Sequence, residues 1–113
     1  PDIRSAIFLT VVFTIAICLG TLTVLPEKVN VLGTDKWQHF VSFAALVYPI
    51  TVASRHYWIP ITVFALCLAA LIEIIQPYIN RFGDIEDFQA DSFGILVGLS
   101  MGVLARRFKV KNN

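Results

Sequence analysis

Four long apolar stretches follow one another along the chain, separated by short polar segments. They cover residues 5–25, 37–54, 57–75 and 88–105. Each has the roughly 17–25 residues that an α-helix needs to cross the hydrocarbon core of a bilayer. None of them alternates polar and apolar positions as a membrane strand does. The pattern predicts an all-α integral membrane bundle of four transmembrane helices, formed by residues 1–113 as a single domain.

The composition agrees with a membrane location for these stretches. The chain of 113 residues is 57% hydrophobic and only 15% charged, whereas a typical soluble domain is about 25% charged. The first stretch is longer than the apolar part of a signal peptide and no A-x-A-like cleavage site follows it, so we interpret it as a retained span. Cys18 and Cys67 both lie within apolar stretches, and we expect them to pack rather than to form a disulfide.

Basic residues are distributed unevenly between the two sides of the predicted bundle. Four spans place both termini on one side, and that side carries six of the nine Lys and Arg residues: Arg4, Arg55, Arg106, Arg107, Lys109 and Lys111. Because Lys and Arg are enriched on the cytoplasmic side, we predict cytoplasmic termini in a bacterial inner membrane. The net charge of +1 gives no reason to expect nucleic acid. The expected partners are membrane lipids, with a larger membrane complex or a homo-oligomer as alternatives.

Polar side chains collect at the opposite, extracytoplasmic end of the predicted bundle. They come from the start of the second span, the end of the third, the loop after it and the start of the fourth: Asp35, Lys36, His39, Glu73, Gln76, Arg81, Asp84, Glu86, Asp87 and Asp91. A charge at the centre of a span costs about 2.5–3.5 kcal/mol, and intramembrane ionisable residues commonly pair with one another or mark a functional site. We therefore predict one polar cluster to which separate helices contribute.

The polar residues at the start of the second stretch have simpler interpretations as well. Asp35 can cap the helix that follows it, and Lys36 can extend to the membrane surface. His39 lies four residues after Asp35, on the same helix face, so the two side chains can form a pair.

The acidic residues of the third and fourth stretches also have simpler interpretations. Glu73 can form a structural ion pair with a basic residue such as Arg81. Asp84 and Glu86 suit the start of the fourth helix, where negative charge is stabilised by the helix dipole. Asp91 lies deeper in its span, and we expect it to face protein rather than lipid.

The fourth stretch carries a small residue at every fourth position: Ala90, Gly94, Gly98 and Gly102. Such a stripe lets a second helix approach to backbone contact. We interpret it as a packing face within the bundle, with dimerisation as the alternative.

Three motifs in a fixed order resemble the VanZ-like family, small membrane proteins named after a teicoplanin-resistance protein. They are D-K-x-x-H-F at Asp35–Phe40, E-x-x-Q at Glu73–Gln76 with Arg81 after it, and D-x-x-A-D-x-x-G-x-x-x-G from Asp87 to Gly98. The resemblance implies a multi-span helical membrane protein and, for the named member, reduced sensitivity to a lipoglycopeptide antibiotic. It implies these characteristic polar positions: Asp35, Lys36, His39, Glu73, Gln76, Arg81, Asp87 and Asp91. It implies no reaction, and Asp91 stands where Asn is frequent in the family.

Three functions are compatible with these residues. We favour a membrane protein whose extracytoplasmic polar pocket binds or modulates an envelope lipid, its headgroup or an antibiotic-like ligand, because the predicted cluster faces the side where such molecules occur. One alternative is a small accessory or structural subunit of a larger membrane complex. The other is a metal- or acid/base-dependent enzyme that acts on envelope lipids.

The sequence indicates no reaction type for that enzyme. It contains no HExxH, P-loop or CxxC motif, and we expect no nucleophile elbow. We leave the question of catalysis open, favour a binding protein, and expect no cofactor and no metal. If a metal is bound, the candidate ligands are His39, Glu73 and Asp91.

Overall fold

The computed structural model describes residues 2–22, 34–75 and 85–112. These ranges contain four α-helices, a short 3-10 helix and no strand, so the predicted all-α class is confirmed. The helices are α1 (Ile3–Leu22), α2 (Thr34–Ala53), the 3-10 helix (Arg55–Tyr57), α3 (Trp58–Ile75) and α4 (Ile85–Asn112).

The helices differ from the predicted spans mainly at the polar ends. α2 begins at Thr34 rather than 37, and α4 begins at Ile85 and continues through the basic tail to Asn112 rather than ending at 105. The prediction located apolar segments, but a helix continues into polar sequence as long as nothing interrupts its backbone hydrogen bonds. Residues 23–25 of the first predicted span lie outside the described residues.

α2 and α4 form the most extensive helix–helix contact and run in the same direction. His39 of α2 lies beside Asp91 near the start of both helices. Near their other ends, an Arg106 N–H of α4 donates a hydrogen bond of 2.6 Å to the backbone carbonyl of Thr51. That carbonyl belongs to the last turn of α2, where helical carbonyls have no partner within their own helix.

α1 and α3 run in the opposite direction to α2. The Thr10 hydroxyl, midway along α1, donates to the backbone carbonyl of Leu46, and Gly20 at the end of α1 lines the same cavity as Gln38 at the start of α2. α3 begins where α2 ends and brings Glu73 back towards His39. We call the end that contains His39, Glu73 and Asp91 the polar end, and the opposite end, with the start of α1 and residues 53–58, the terminal end.

Glycine allows the close approach of α4 to α2. A Cβ atom at Gly94 would collide with the backbone carbonyl of Phe40, and one at Gly98 would collide with that of Ala44. At Gly102 it would lie 2.6 Å from Cβ of Thr51. The contacts at Gly94 and Gly98 are the close backbone packing that small residues permit between membrane helices.

Apolar side chains occupy both the interior and the outer surface of the bundle. The buried core includes Phe43, Leu46 and Ile72, while residues such as Phe8 and Leu96 are exposed. Among the described residues, three segments are long and apolar enough to cross a membrane: Ile3–Gly20, Arg55–Ile75 and Asp87–Lys109. They indicate a membrane protein.

α2 is not among these segments, and five of its first six residues, TDKWQH, are polar or charged. The predicted second span at residues 37–54 therefore stays a prediction, and so does the orientation of the termini.

Candidate functional site

His39 is the centre of a buried group of polar side chains at the polar end. Its imidazole is 3% exposed and lies between two carboxylates of α4. Nδ1 is 2.8 Å from Oδ1 of Asp91, which is completely buried. Nε2 is 3.8 Å from Oδ2 of Asp87, which is 3% exposed. The first contact is a short hydrogen bond, and the second is too long for a direct one.

The helical period and the glycine stripe position these two carboxylates. Asp87 and Asp91 are four residues apart and therefore lie on the same face of α4. Gly94 is three residues further along that face, and its missing side chain lets the backbone of Phe40, the neighbour of His39, touch α4. The close packing of the two helices thus sets the distance between imidazole and carboxylate.

Glu73 adds a third carboxylate, from α3. Its side chain is partly buried, and its Oε1 atom is inaccessible to solvent. His39, Glu73 and Asp91 each offer one ligand atom, and these atoms all lie within 4.8 Å of one another. Three helices that are distant in sequence thus contribute to one group, which we call the His39 cluster: His39, Glu73, Asp87 and Asp91.

The His39 cluster contains more acidic groups than basic ones. Three carboxylates gathered around one imidazole repel when ionised, and burial strengthens that repulsion. The charge can be balanced by protons, by a cation or by basic side chains. The side chain of Lys36 and the whole of Arg81, the basic partners considered from the sequence, lie outside the part of the chain that is described.

A cavity of about 330 Å³ opens beside His39 between α1 and α2. Its wall is polar near the polar end, where Gln38, His39 and Ser42 line it. Further along it is apolar, with Phe13 and Ile17 of α1 facing α2. The cavity therefore has the amphipathic character of a lipid.

A second, almost wholly apolar cavity of about 400 Å³ continues in the direction of the terminal end. Phe13, Val41 and Ala45 line both cavities, and the second reaches Pro49 of α2 and Met101 of α4. From Gln38 to Pro49 the two cavities follow α2 for about 16 Å, at 1.5 Å per residue. Together they form what we call the α1–α2 groove.

The predicted site residues fall into two groups. His39, Glu73, Asp87 and Asp91 come together in the His39 cluster. Asp35 and Lys36 lie in the first turn of α2 and Glu86 in the first turn of α4, but their side chains lie outside the description, as do residues Gln76, Arg81 and Asp84. The stripe of Ala90, Gly94, Gly98 and Gly102 lies on α4, with its glycines against α2.

Apart from His39 and Gly98, the residues that line the groove were not predicted from the sequence. Ser42 follows His39 by three positions and therefore shares its helix face, so this spacing could have identified Ser42 as a neighbour of the imidazole. Phe13, Ile17 and Gly20 of α1 carry no such signal, because an apolar side chain that lines a cavity resembles one that faces lipid.

One further pattern has a structural explanation. Gly98–Gly102 reads GLSMG and matches the letters of the G-x-S-x-G nucleophile elbow. The elbow requires a sharp turn between a strand and a helix, whereas this segment lies within α4 and Ser100 is exposed away from the His39 cluster. It is part of the packing stripe and supplies no nucleophile to the site.

Comparison with known proteins is consistent with the motifs and the helices. A family model described as VanZ/LLP1 matches residues 5–106. No curated protein and no solved structure matches the chain. The family match covers nearly the whole chain and confirms the resemblance seen in the three motifs. The protein therefore belongs to the VanZ/LLP1 family.

Proposed function

We propose that all four helices cross a bacterial inner membrane, with both termini in the cytoplasm. α1 and α3 both run towards the polar end, so α2 has to return through the same depth of membrane to connect them. Trp37 is 66% exposed near the polar end, and Tyr57 and Trp58 are exposed at the terminal end, which suits two aromatic belts at the membrane surfaces. Burial of His39 within protein shields its imidazole from lipid.

The polar end then faces the extracytoplasmic side and binds an envelope lipid or a lipid-like antibiotic. The observation that supports this best is the continuity of the His39 cluster with the α1–α2 groove. A polar headgroup would lie against Gln38, His39 and Ser42, and an acyl chain would follow the apolar wall. Ligand pockets commonly combine a mainly apolar wall with a few convergent polar groups.

Native mass spectrometry of the full chain in mild detergent tests this function. The probes are phosphatidylethanolamine, phosphatidylglycerol and cardiolipin. We expect a preferred headgroup, at least tenfold weaker binding in His39→Ala and Glu73→Gln, and no change in His56→Ala, an exposed histidine at the terminal end. Ala45→Phe, which fills the groove, should weaken binding of every lipid. Equal binding by all variants would remove the proposal.

A second candidate is acid–base chemistry on an envelope lipid. It is favoured by the 2.8 Å contact between His39 and Asp91, because a carboxylate that orients an imidazole is a common arrangement in general-base catalysis. Incubation of the purified protein with the same three lipids decides it. Hydrolysis that is lost in both His39→Ala and Asp91→Asn would support an enzyme, and intact lipids would exclude hydrolysis of these substrates.

A further inference from the structure

The His39 cluster combines the ligand types and the spacing of a metal site. It offers an imidazole from α2, a carboxylate from α3 and a carboxylate from α4, with all ligand atoms within 4.8 Å of one another. Tetrahedral ligands of a single Zn²⁺ at about 2.0–2.2 Å lie about 3.3–3.6 Å apart, so side-chain shifts of about 1 Å bring them into range. We propose that His39, Glu73 and Asp91 bind one divalent transition-metal ion, Zn²⁺ or Mn²⁺.

The setting of the imidazole fits this role. Asp91 is 2.8 Å from Nδ1, and Asp87 is 3.8 Å from Nε2. Nδ1 is the nitrogen that faces Asp91, so it would bind the ion together with that carboxylate. Nε2 would then face Oδ2 of Asp87, and a shift of about 1 Å would let this carboxylate accept the N–H, as is usual for metal-ligating histidines. The imidazole also favours Zn²⁺ over Mg²⁺ and Ca²⁺, which prefer ligand sets made of oxygen alone.

A bound ion would change what the His39 cluster can attract. Three ionised carboxylates repel the phosphate of a lipid headgroup, whereas a divalent cation among them supplies positive charge at the polar end of the groove. This link to a phospholipid rests on the proposed function. Binding of the ion itself does not, because it needs only the side chains of the cluster.

Isothermal titration of the chelator-treated, lipid-free full chain with ZnCl₂, MnCl₂ and MgCl₂ tests the site. We expect one Zn²⁺ or Mn²⁺ per chain, with at least tenfold weaker binding in Glu73→Gln and Asp91→Asn. Asp2→Asn and His56→Ala are matched controls because both residues are exposed at the terminal end, and they should bind as the unaltered chain does. Helical circular dichroism and gel filtration show whether each variant is folded.

A spectroscopic signature keeps the test decisive if a carboxylate variant misfolds. Mn²⁺ or Cu²⁺ bound at the site should show imidazole nitrogen coupling in pulsed electron paramagnetic resonance, and His56→Ala should retain it. Absence of stoichiometric binding, unchanged binding in folded Glu73→Gln, or loss of the nitrogen signal in His56→Ala would each overturn the proposal.

Lipid binding distinguishes failure of the metal site from failure of the proposed function. In Ala45→Phe, metal binding should persist while lipid binding falls. Metal binding without lipid binding would leave the ion site standing and remove the lipid function. If the chain binds no metal and its lipid binding is unchanged by EDTA, the lipid function stands and the metal site is removed.

Discussion

Asp91 makes a shorter contact with the imidazole of the His39 cluster than Asp87 does, so substitutions there measure how much the cluster stabilises the bundle. It is completely buried and contacts a histidine that belongs to another helix and lies 52 positions earlier. Hydrogen bonds between membrane helices contribute about 0.6 kcal/mol on average and up to about 1.7 kcal/mol, and charged partners fall at the upper end.

We expect a double-mutant cycle of His39→Ala and Asp91→Ala to give a coupling free energy of about 1–2 kcal/mol, because each substitution removes the same hydrogen bond. The measurement is reversible unfolding in mixed detergent micelles. His39→Ala combined with Asp2→Ala is the control, and its effects should add within about 0.5 kcal/mol. Additive effects for the first pair would mean that the 2.8 Å contact contributes nothing to stability.

Arg106 carries a separate prediction at the terminal end. Its guanidinium donates to the Thr51 carbonyl at 2.6 Å, and hydrogen bonds to charged groups contribute about 1.5–3 kcal/mol. Arg106→Met should therefore lower the free energy of unfolding by about 1–3 kcal/mol. Arg107→Met, at the exposed neighbouring position, should change it by less than about 0.5 kcal/mol. Equal effects in the same unfolding assay would argue against this contact.

The sequence predicted a cluster that includes His39 and acidic residues of the fourth span, but not which carboxylate the imidazole contacts. Local spacing identified Asp35 as a candidate partner, because residues four apart share a helix face. The described contacts of the imidazole are with Asp87 and Asp91, and their proximity depends on how α2 packs against α4. A sequence pattern shows which residues share a face of one helix. The contact between His39 and Asp91 depends in addition on how two helices pack against each other.

At the scale of the helices, the glycine stripe links stability to the site. Gly94→Ala places a methyl group against the Phe40 carbonyl, which is backbone and cannot rotate away, so α2 and α4 must separate. Overpacking of this kind costs about 1–3 kcal/mol. We expect that loss in detergent unfolding, together with weaker lipid binding, because the separation also moves His39 from Asp91.

Gly20→Ala is the matched control for this prediction. No atom lies within 4 Å of the Cβ it adds, and alanine is favoured over glycine in helices by about 1 kcal/mol. It should leave stability unchanged or slightly raised. If both alanine variants have the same stability, close packing at Gly94 does not hold the two helices together.

The helices themselves were largely predictable, and the reason is physical. Long apolar runs that lack alternation leave an α-helix as the way to satisfy the backbone in lipid, and α1 and α3 follow that rule. The start of α2 and the extension of α4 were missed because apolarity locates the hydrocarbon region rather than the end of a helix. The α1–α2 groove could not be predicted either, because a cavity forms where the side chains of packed helices leave space between them, and the sequence does not show this.

At the scale of the whole molecule, the proposed lipid function requires the polar end to face the extracytoplasmic side of the membrane. Cys18 and Cys67 are free thiols, so a background with both replaced by alanine allows one new cysteine to be placed at either end. Gln38 is exposed and lines the cavity beside His39, and His56 is exposed at the terminal end. These two positions report on opposite sides of the predicted membrane.

Labelling of Gln38→Cys in intact cells with a membrane-impermeant maleimide is the most direct measurement of this arrangement. We expect Gln38→Cys to react in intact cells and His56→Cys to react only after the membrane is disrupted. The labelled Gln38→Cys protein should also have lost lipid binding. Reaction of His56→Cys alone in intact cells would place the His39 cluster in the cytoplasm and contradict an extracytoplasmic lipid site.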